Sequence, residues 1–176
     1  MEKQEAQSNI EFDFKGKDEK FKETKELILD LESQYNTRLQ TVTVGAEKAA
    51  ATVDISGATM KINSNAPEVA LHDFAHTLAN SSADKYGLTN DEEFWKEIRK
   101  IRTQYHKDVD QTQDVTRWIS TYEHSNKSID EFMADAFAQA KAHEMGIPLP
   151  DKYGNDYTYS EQVLKAIDKH FKKKKR

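Results

Sequence analysis

The chain contains no cysteine, which excludes a disulfide framework and any thiolate metal site. A metal, if there is one, has to be held by histidines and carboxylates. No apolar run approaches the roughly 20 residues needed to cross a bilayer, and Met1 to Asn9 lacks the apolar stretch of a secretory signal. A cytoplasmic soluble domain, or a piece of a larger intracellular assembly protein, is therefore expected, without membrane contact. No phosphate-binding loop, dinucleotide glycine pattern, Ser/His/Asp arrangement or internal repeat is present. What remains is a chain of 176 residues with 36% hydrophobic and 32% charged residues. That suits one domain with a compact core and a heavily solvated surface.

Charge is unevenly spread. Six cations lie in Lys169–Arg176, "KHFKKKKR", so residues 1–168 carry −11 where the whole chain carries −5. One short basic cluster without interleaved aromatics is weak support for nucleic-acid binding. It reads more simply as a solvated helix end whose lysines complement the macrodipole.

Along the chain, residues 1–17 are polar and expected to be flexible, although Ile10, Phe12 and Phe14 alternate like a short strand. Phe21, Leu27, Ile28, Leu31 and Tyr35 recur at helical intervals between about Asp18 and Asn36. "LQTVTVG", "AAATVDIS" and "ATMKINS" are β-branched and alternating, which predicts a small antiparallel sheet between about 39 and 63. Asn65 as N-cap, Pro67 in the first turn and Glu68 at a capping-box position start a helix that runs to about Ser82. Another helix covers roughly Asp91 to His106. A further one, capped by Ser128 or Asn126, covers Ile129 to Met145 and stops at Gly146 and Pro148. After the turn-rich "PLPDKYGNDY", Ser160 opens a last helix. The fold class is α+β, with residues 18–168 as a single domain and 169–176 as a basic tail.

The chemistry sits in two stretches. "LHDFAHTL" places His72 and His76 four apart with Asp73 directly after the first. On a helix both imidazoles share one face, the spacing by which HExxH peptidases hold zinc. Some 50 residues on, "STYEHSNKSIDEFMADAFAQA" carries Glu131 and Asp135 one turn apart on a predicted helix. Phe132, Met133, Ala134, Ala136, Phe137 and Ala138 crowd these acids, and burying carboxylates there is expensive unless something positive compensates them. A two-histidine site needs a third ligand from a carboxylate on a separate helix, and an acid that hydrogen-bonds a ligating imidazole. Glu131 and Asp135 can fill both roles. His106 and His124 read as surface residues, His143 and His170 as helix C-terminal ones, and Trp95 and Trp118 as core or interface anchors.

"HDFAH", followed by "ISTYEHSN" and "DEFMADAFA", resembles the zincin domains related to the anthrax lethal factor catalytic domain, and their relatives in phage minor head proteins and mobile elements. The resemblance covers about Thr59 to Glu144. It implies a zincin-like fold and a metallopeptidase with one Zn²⁺ per chain, held by His72, His76 and Glu131. It also implies Tyr122 as the hydroxyl on the oxyanion side and Asp135 as the second acid of the family's helix. Peptide or protein substrates, and phage-head or mobile-element assembly partners, follow from it. The chain departs from the pattern in three places. Asp73 stands where the family has a catalytic Glu, Ala75 where many members have Gly, and two extra residues separate Asn126 from Glu131. The Glu takes a proton from water and passes it to the leaving amine. Asp is one methylene shorter, and misplacement by ~1 Å costs about 10²-fold. A catalytically weak or inactive zincin-fold assembly domain is the alternative expectation.

Overall fold

The computed structural model describes residues 9–45, 51–54, 56–81, 91–125 and 128–173. Asn126, Ser82 and Lys174–Arg176 from the expectations above fall outside them. The described elements run β1 (Glu11–Asp13), α1 (Lys22–Gln34), β2 (Thr41–Val44), β3 (Ala51–Val53), β4 (Thr59–Ile62), α2 (Pro67–Ser81), α3 (Asp91–Val109), a 3₁₀ turn (Val115–Arg117), α4 (Thr121–Ser125), α5 (Ile129–Met145) and α6 (Thr158–Phe171). The class is α+β, and the described residues form six α-helices and one four-stranded sheet. Among the described residues, no helix is long and apolar enough to cross a membrane.

The sheet is mixed rather than antiparallel. Its order is β1-β2-β4-β3, with β1 parallel to β2, β2 parallel to β4, and only β3 antiparallel to β4. The reason is the crossover: α1 lies between β1 and β2, and a strand that returns through a helix pairs parallel. One row of side chains, Phe12, Val42, Met60 and Val53, spans the four strands in register. Val42 and Met60 in its centre are fully buried. The β3–β4 turn is organised by Asp54, whose carboxylate accepts from the backbone N–H of Ala58 at 3.0 Å and of Thr59 at 3.2 Å. Gly57 supplies the left-handed residue the turn needs, at φ 76°.

Two boundary expectations need correction. Of residues 1–17, expected to be flexible, the described 9–17 contribute strand β1, and Phe14 just after it is buried against Phe21 at 5.2 Å between ring centroids. At the other end the first residues of the basic tail are part of the fold. Phe171 is buried, its carbonyl accepts from Asn36 N–H at 2.8 Å, and Lys173 N–H reaches the Gln34 carbonyl at 2.8 Å. Asn65 does not cap α2. Its side chain donates to the Lys20 carbonyl at 3.3 Å, and Ala66 lies between it and the first helical residue.

Helix α5 is the axis of the molecule. Ser128 caps it by accepting from Asp130 N–H at 3.2 Å, and Gly146 ends it at φ 71°. Every residue from Phe132 to Ala142 is buried. Its most extensive neighbours are α2 on one side and α6 on the other. Phe74 of α2 sits between Phe137 of α5, 6.5 Å away, and Tyr35 after α1, 6.2 Å away. Burial on this scale supplies most of the folding free energy. Phe74→Ala should therefore cost about 3–5 kcal/mol and lower the melting temperature by roughly 10 °C, as read by calorimetry.

Candidate metal centre

The α2–α5 contact brings the two chemistry-bearing stretches face to face. His72 and His76, one turn apart on α2, have ring centroids 4.9 Å apart. Their Nε2 atoms lie 3.2 Å from each other. Glu131, in the first turn of α5, reaches His72 Nε2 with Oε1 at 3.3 Å and His76 Nε2 with Oε2 at 2.6 Å. One ligand atom from each residue falls within 4.8 Å of the others. The three side chains are 16–19% exposed, so they are sheltered yet open to a solute. Two imidazoles and a carboxylate so placed could hold a metal ion. Donors about 2.1 Å from one first-row divalent ion stand roughly 3.3 Å apart, which is the spacing of the two Nε2 atoms and of His72 Nε2 from Glu131.

Asp135, one turn after Glu131, lies behind the centre. Its Oδ1 accepts from His72 Nδ1 at 2.6 Å and from the Tyr153 hydroxyl at 3.2 Å, and its Oδ2 accepts from the Ser120 hydroxyl. With Nδ1 held on Asp135, Nε2 is the His72 ring atom that faces the other two donors. The electrostatics show how strongly the place calls for positive charge. Burial works against a charged His72, but the hydrogen bonds and negative charges of Asp135 and Glu131 outweigh it and raise its pKa to about 10. Burial likewise opposes an ionised Glu131, yet its contacts with His72 and His76 hold it well below the usual carboxylate range. A proton on the His72 imidazole is the positive charge these two acids favour.

A cleft of about 590 Å³ opens over the three donors, lined among others by Thr52 and Val53 of β3, Glu68, Asp73, Tyr122 and Lys152. Asp73 is 6% exposed, and its Oδ2 has no hydrogen-bond partner among the described residues. Burial pushes its carboxyl up to about 6, against the pull of His72 and His76. Tyr122 is 45% exposed. Its ring stands edge-on to His72 at 6.0 Å and its hydroxyl donates to Glu131 Oε1 at 2.8 Å. All six residues singled out in the sequence thus meet at one cleft or directly behind it. Of the other histidines, His124 stacks on Trp118 at 3.6 Å, His143 stacks on Tyr157, and His170 pairs with Glu97 at 3.1 Å.

Three residues at this end of the molecule were not anticipated. Ser120 and Tyr153 hold Asp135, and a buried aspartate amid apolar neighbours is the one signal that hydroxyl donors had to be found for it. The third is Glu123 on α4, fully buried behind Tyr122. Its Oε1 accepts from the Tyr105 hydroxyl at 3.1 Å, while Oε2 has no hydrogen-bond partner among the described residues and lies 3.6 Å from His106 Nε2. Burial raises its pKa to about 7, partly offset by the Tyr105 hydrogen bond. The folded protein thus binds a proton here that the unfolded chain has released, and stability falls as pH rises between the ordinary 4.5 and about 7. Glu123→Gln cannot ionise and should escape that loss. At about 1.4 kcal/mol per pH unit, its advantage over the parent should grow by on the order of 3 kcal/mol across this window, measured by urea unfolding at a series of pH values.

Comparison of the chain with protein-family models, with curated proteins and with solved structures finds no match, so the chemistry of the centre rests on its own residues and their geometry.

Proposed function

We propose that the chain is a zinc-dependent peptide hydrolase of the zincin kind, an HDxxH variant of phage or mobile-element origin. The observation that carries the reading is the convergence of His72 Nε2, His76 Nε2 and a Glu131 oxygen in a cleft that Asp73 also lines. Two histidines and a glutamate are a donor set of catalytic zinc, with the fourth position left to water or substrate. A bound zinc ion supplies a Lewis acid and lowers the pKa of water.

The chain's own residues would do the rest. Asp73 lines the cleft, with one oxygen buried and unpartnered among the described residues and a pKa near 6, suited to taking a proton from water near neutrality and returning it to the leaving amine. The Tyr122 hydroxyl is exposed at the cleft and can turn from Glu131 to the oxygen on which negative charge develops. Strand β3 is the last in the sheet order, pairs with β4 on one side, and lines the cleft through Thr52 and Val53. An extended peptide can pair with its other edge and lie across the donors. The motif resemblance to phage minor head proteins favours a protein of such an assembly as the substrate.

A second reading, a metal-holding assembly domain with weak or no catalysis, is favoured by two observations. The carboxylate at 73 is a methylene short, and the Tyr122 hydroxyl is already engaged by Glu131. One set of measurements separates the readings. Calorimetric titration should show about one Zn²⁺ per chain, with proton release from His72 and a raised melting temperature. His72→Ala should lose all three. On a mixed peptide library, Asp73→Glu should cleave about 10–100-fold faster than the parent, and Asp73→Asn should not cleave while still binding zinc. Zinc bound by both parent and Asp73→Glu, with cleavage by neither, would establish the assembly domain instead. Absence of stoichiometric binding in the parent would remove the metal from both readings.

A further inference from the structure

We infer that Ser120 and Tyr153 are positioning residues of the metal centre: two hydroxyls, presented by one backbone strap, clamp Asp135 in the orientation from which it aims His72. The inference rests on the proposed reading that His72 is a metal ligand.

The strap is made of two irregular segments that sequence pattern marks only as loop and turn. Thr121 N–H donates to the Lys152 carbonyl at 2.9 Å, Gly154 N–H to that of Ile119 at 3.2 Å, and Asn155 N–H to that of Thr116 at 2.9 Å. Ser120 and Tyr153 form the bridge between the two segments. The approach is close enough that residue 154 must be glycine, since a Cβ there would lie 2.1 Å from the Trp118 carbonyl oxygen and 2.5 Å from that of Thr116. The strap is also tied to the helix that carries its target. Gln139, one turn past Asp135 on α5, donates through Nε2 to the Gly154 carbonyl at 2.9 Å. Strap and carboxylate are therefore fixed to the same rigid element.

The direction of each hydrogen bond follows from the donors available. The Ser120 oxygen accepts from Glu123 N–H at 2.9 Å, which leaves its single proton to face Asp135 Oδ2. Tyr153 brings its proton to Oδ1. A carboxylate pinned through both oxygens cannot rotate about its terminal bond. His72 Nδ1, 2.6 Å from Oδ1, then meets an acceptor of fixed position, and its Nε2 is aimed at His76 and Glu131. Partners of this kind behind a ligating histidine set metal affinity as well as ring orientation. A purely structural role, satisfying a buried carboxylate, would move stability and leave the imidazole unmoved.

The deciding experiment uses the full chain with Tyr153→Phe, which removes one oxygen, and Ser120→Ala, singly and together. Gly154→Ala dislocates the whole strap, and Tyr157→Phe serves as a control outside it. Zinc affinity is measured by competition with a chromophoric chelator. The low-field proton resonance of His72 Nδ1–H, identified by its loss in His72→Gln, is followed in the metal-free protein. We expect affinity to fall on the order of tenfold in each single variant and up to about a hundredfold in the pair. The resonance should shift and broaden in parallel, with Tyr157→Phe matching the parent. Lowered stability with unchanged affinity and an unchanged resonance in folded Tyr153→Phe overturns the inference, whatever Ser120→Ala and Gly154→Ala do. If the parent binds no zinc, the proposed function fails on its own, and the resonance alone decides whether the hydroxyls position His72.

Discussion

The interaction on which the rest depends is the meeting of two acidic side chains on α5 with two imidazoles on α2. Helix α5 is buried from Phe132 to Ala142, and a helix enclosed on all sides leaves its polar residues nowhere to find water. A carboxylate in such a place survives only with hydrogen bonds and a compensating charge. Asp135 has three donors, and Glu131 lies between two ring nitrogens. The need is reciprocal: His72 is driven towards the charged form by the same two acids. Whatever cation occupies the gap, proton or metal, completes a charge balance that neither helix achieves alone. This is why the extensive α2–α5 packing and the candidate centre are one feature seen from two sides.

The far end of α5 meets the same problem with the opposite sign. Lys141 is fully buried, and its ammonium donates to Gln34 Oε1 and Glu144 Oε1, each at 2.7 Å, above the ring of Tyr35. Acids in the first turns of α5 and a cation in its later part both complement the helix dipole. The two clusters also fasten different neighbours. The acidic end takes hold of α2 and the strap, while the basic end takes hold of the C-terminal residue of α1, which in turn receives Lys173 N–H from beyond α6. The described residues that follow α6 are thereby tied to the end of α1.

What the sequence made legible follows from periodicity. A spacing of four residues put His72 with His76, and Glu131 with Asp135, on one face of each of two predicted helices; metal-site chemistry and the motif resemblance joined the two faces, and Ser128 and Gly146 mark the ends of α5 as they stand. Period-two alternation is the same in parallel and antiparallel strands, so it located β2, β3 and β4 but could not show that α1 turns β1 and β2 into a parallel pair. Asn65 has the chemistry of a cap, yet tertiary structure offered its side chain the Lys20 carbonyl instead. The strap was opaque for a deeper reason. Ser120 and Tyr153 are 33 positions apart on irregular backbone, and no local pattern announces that they pair.

The same logic explains how an exposed tyrosine comes to stand over the donors. Helix α4 has only five residues, Thr121–Ser125, too few to be stable on intrinsic propensity. It is held from behind. Glu123 is inserted against Tyr105 and His106 of α3, and the His124 ring lies flat on Trp118. With Glu123 buried and His124 stacked on Trp118, the helix rotation is fixed and Tyr122 is turned outward to the cleft. The ionisation of Glu123 is disfavoured by that burial, so the placement of Tyr122 is obtained at a cost in stability. Such costs are tolerated where geometry matters more than stability. The burial of Asp73 with one oxygen unpartnered, on the other side of the same cleft, is a second cost of the same kind. Burial disfavours the charged form of both carboxylates, one lining the cleft and the other behind the tyrosine that does, so the fold carries both costs close to one trio of potential ligands.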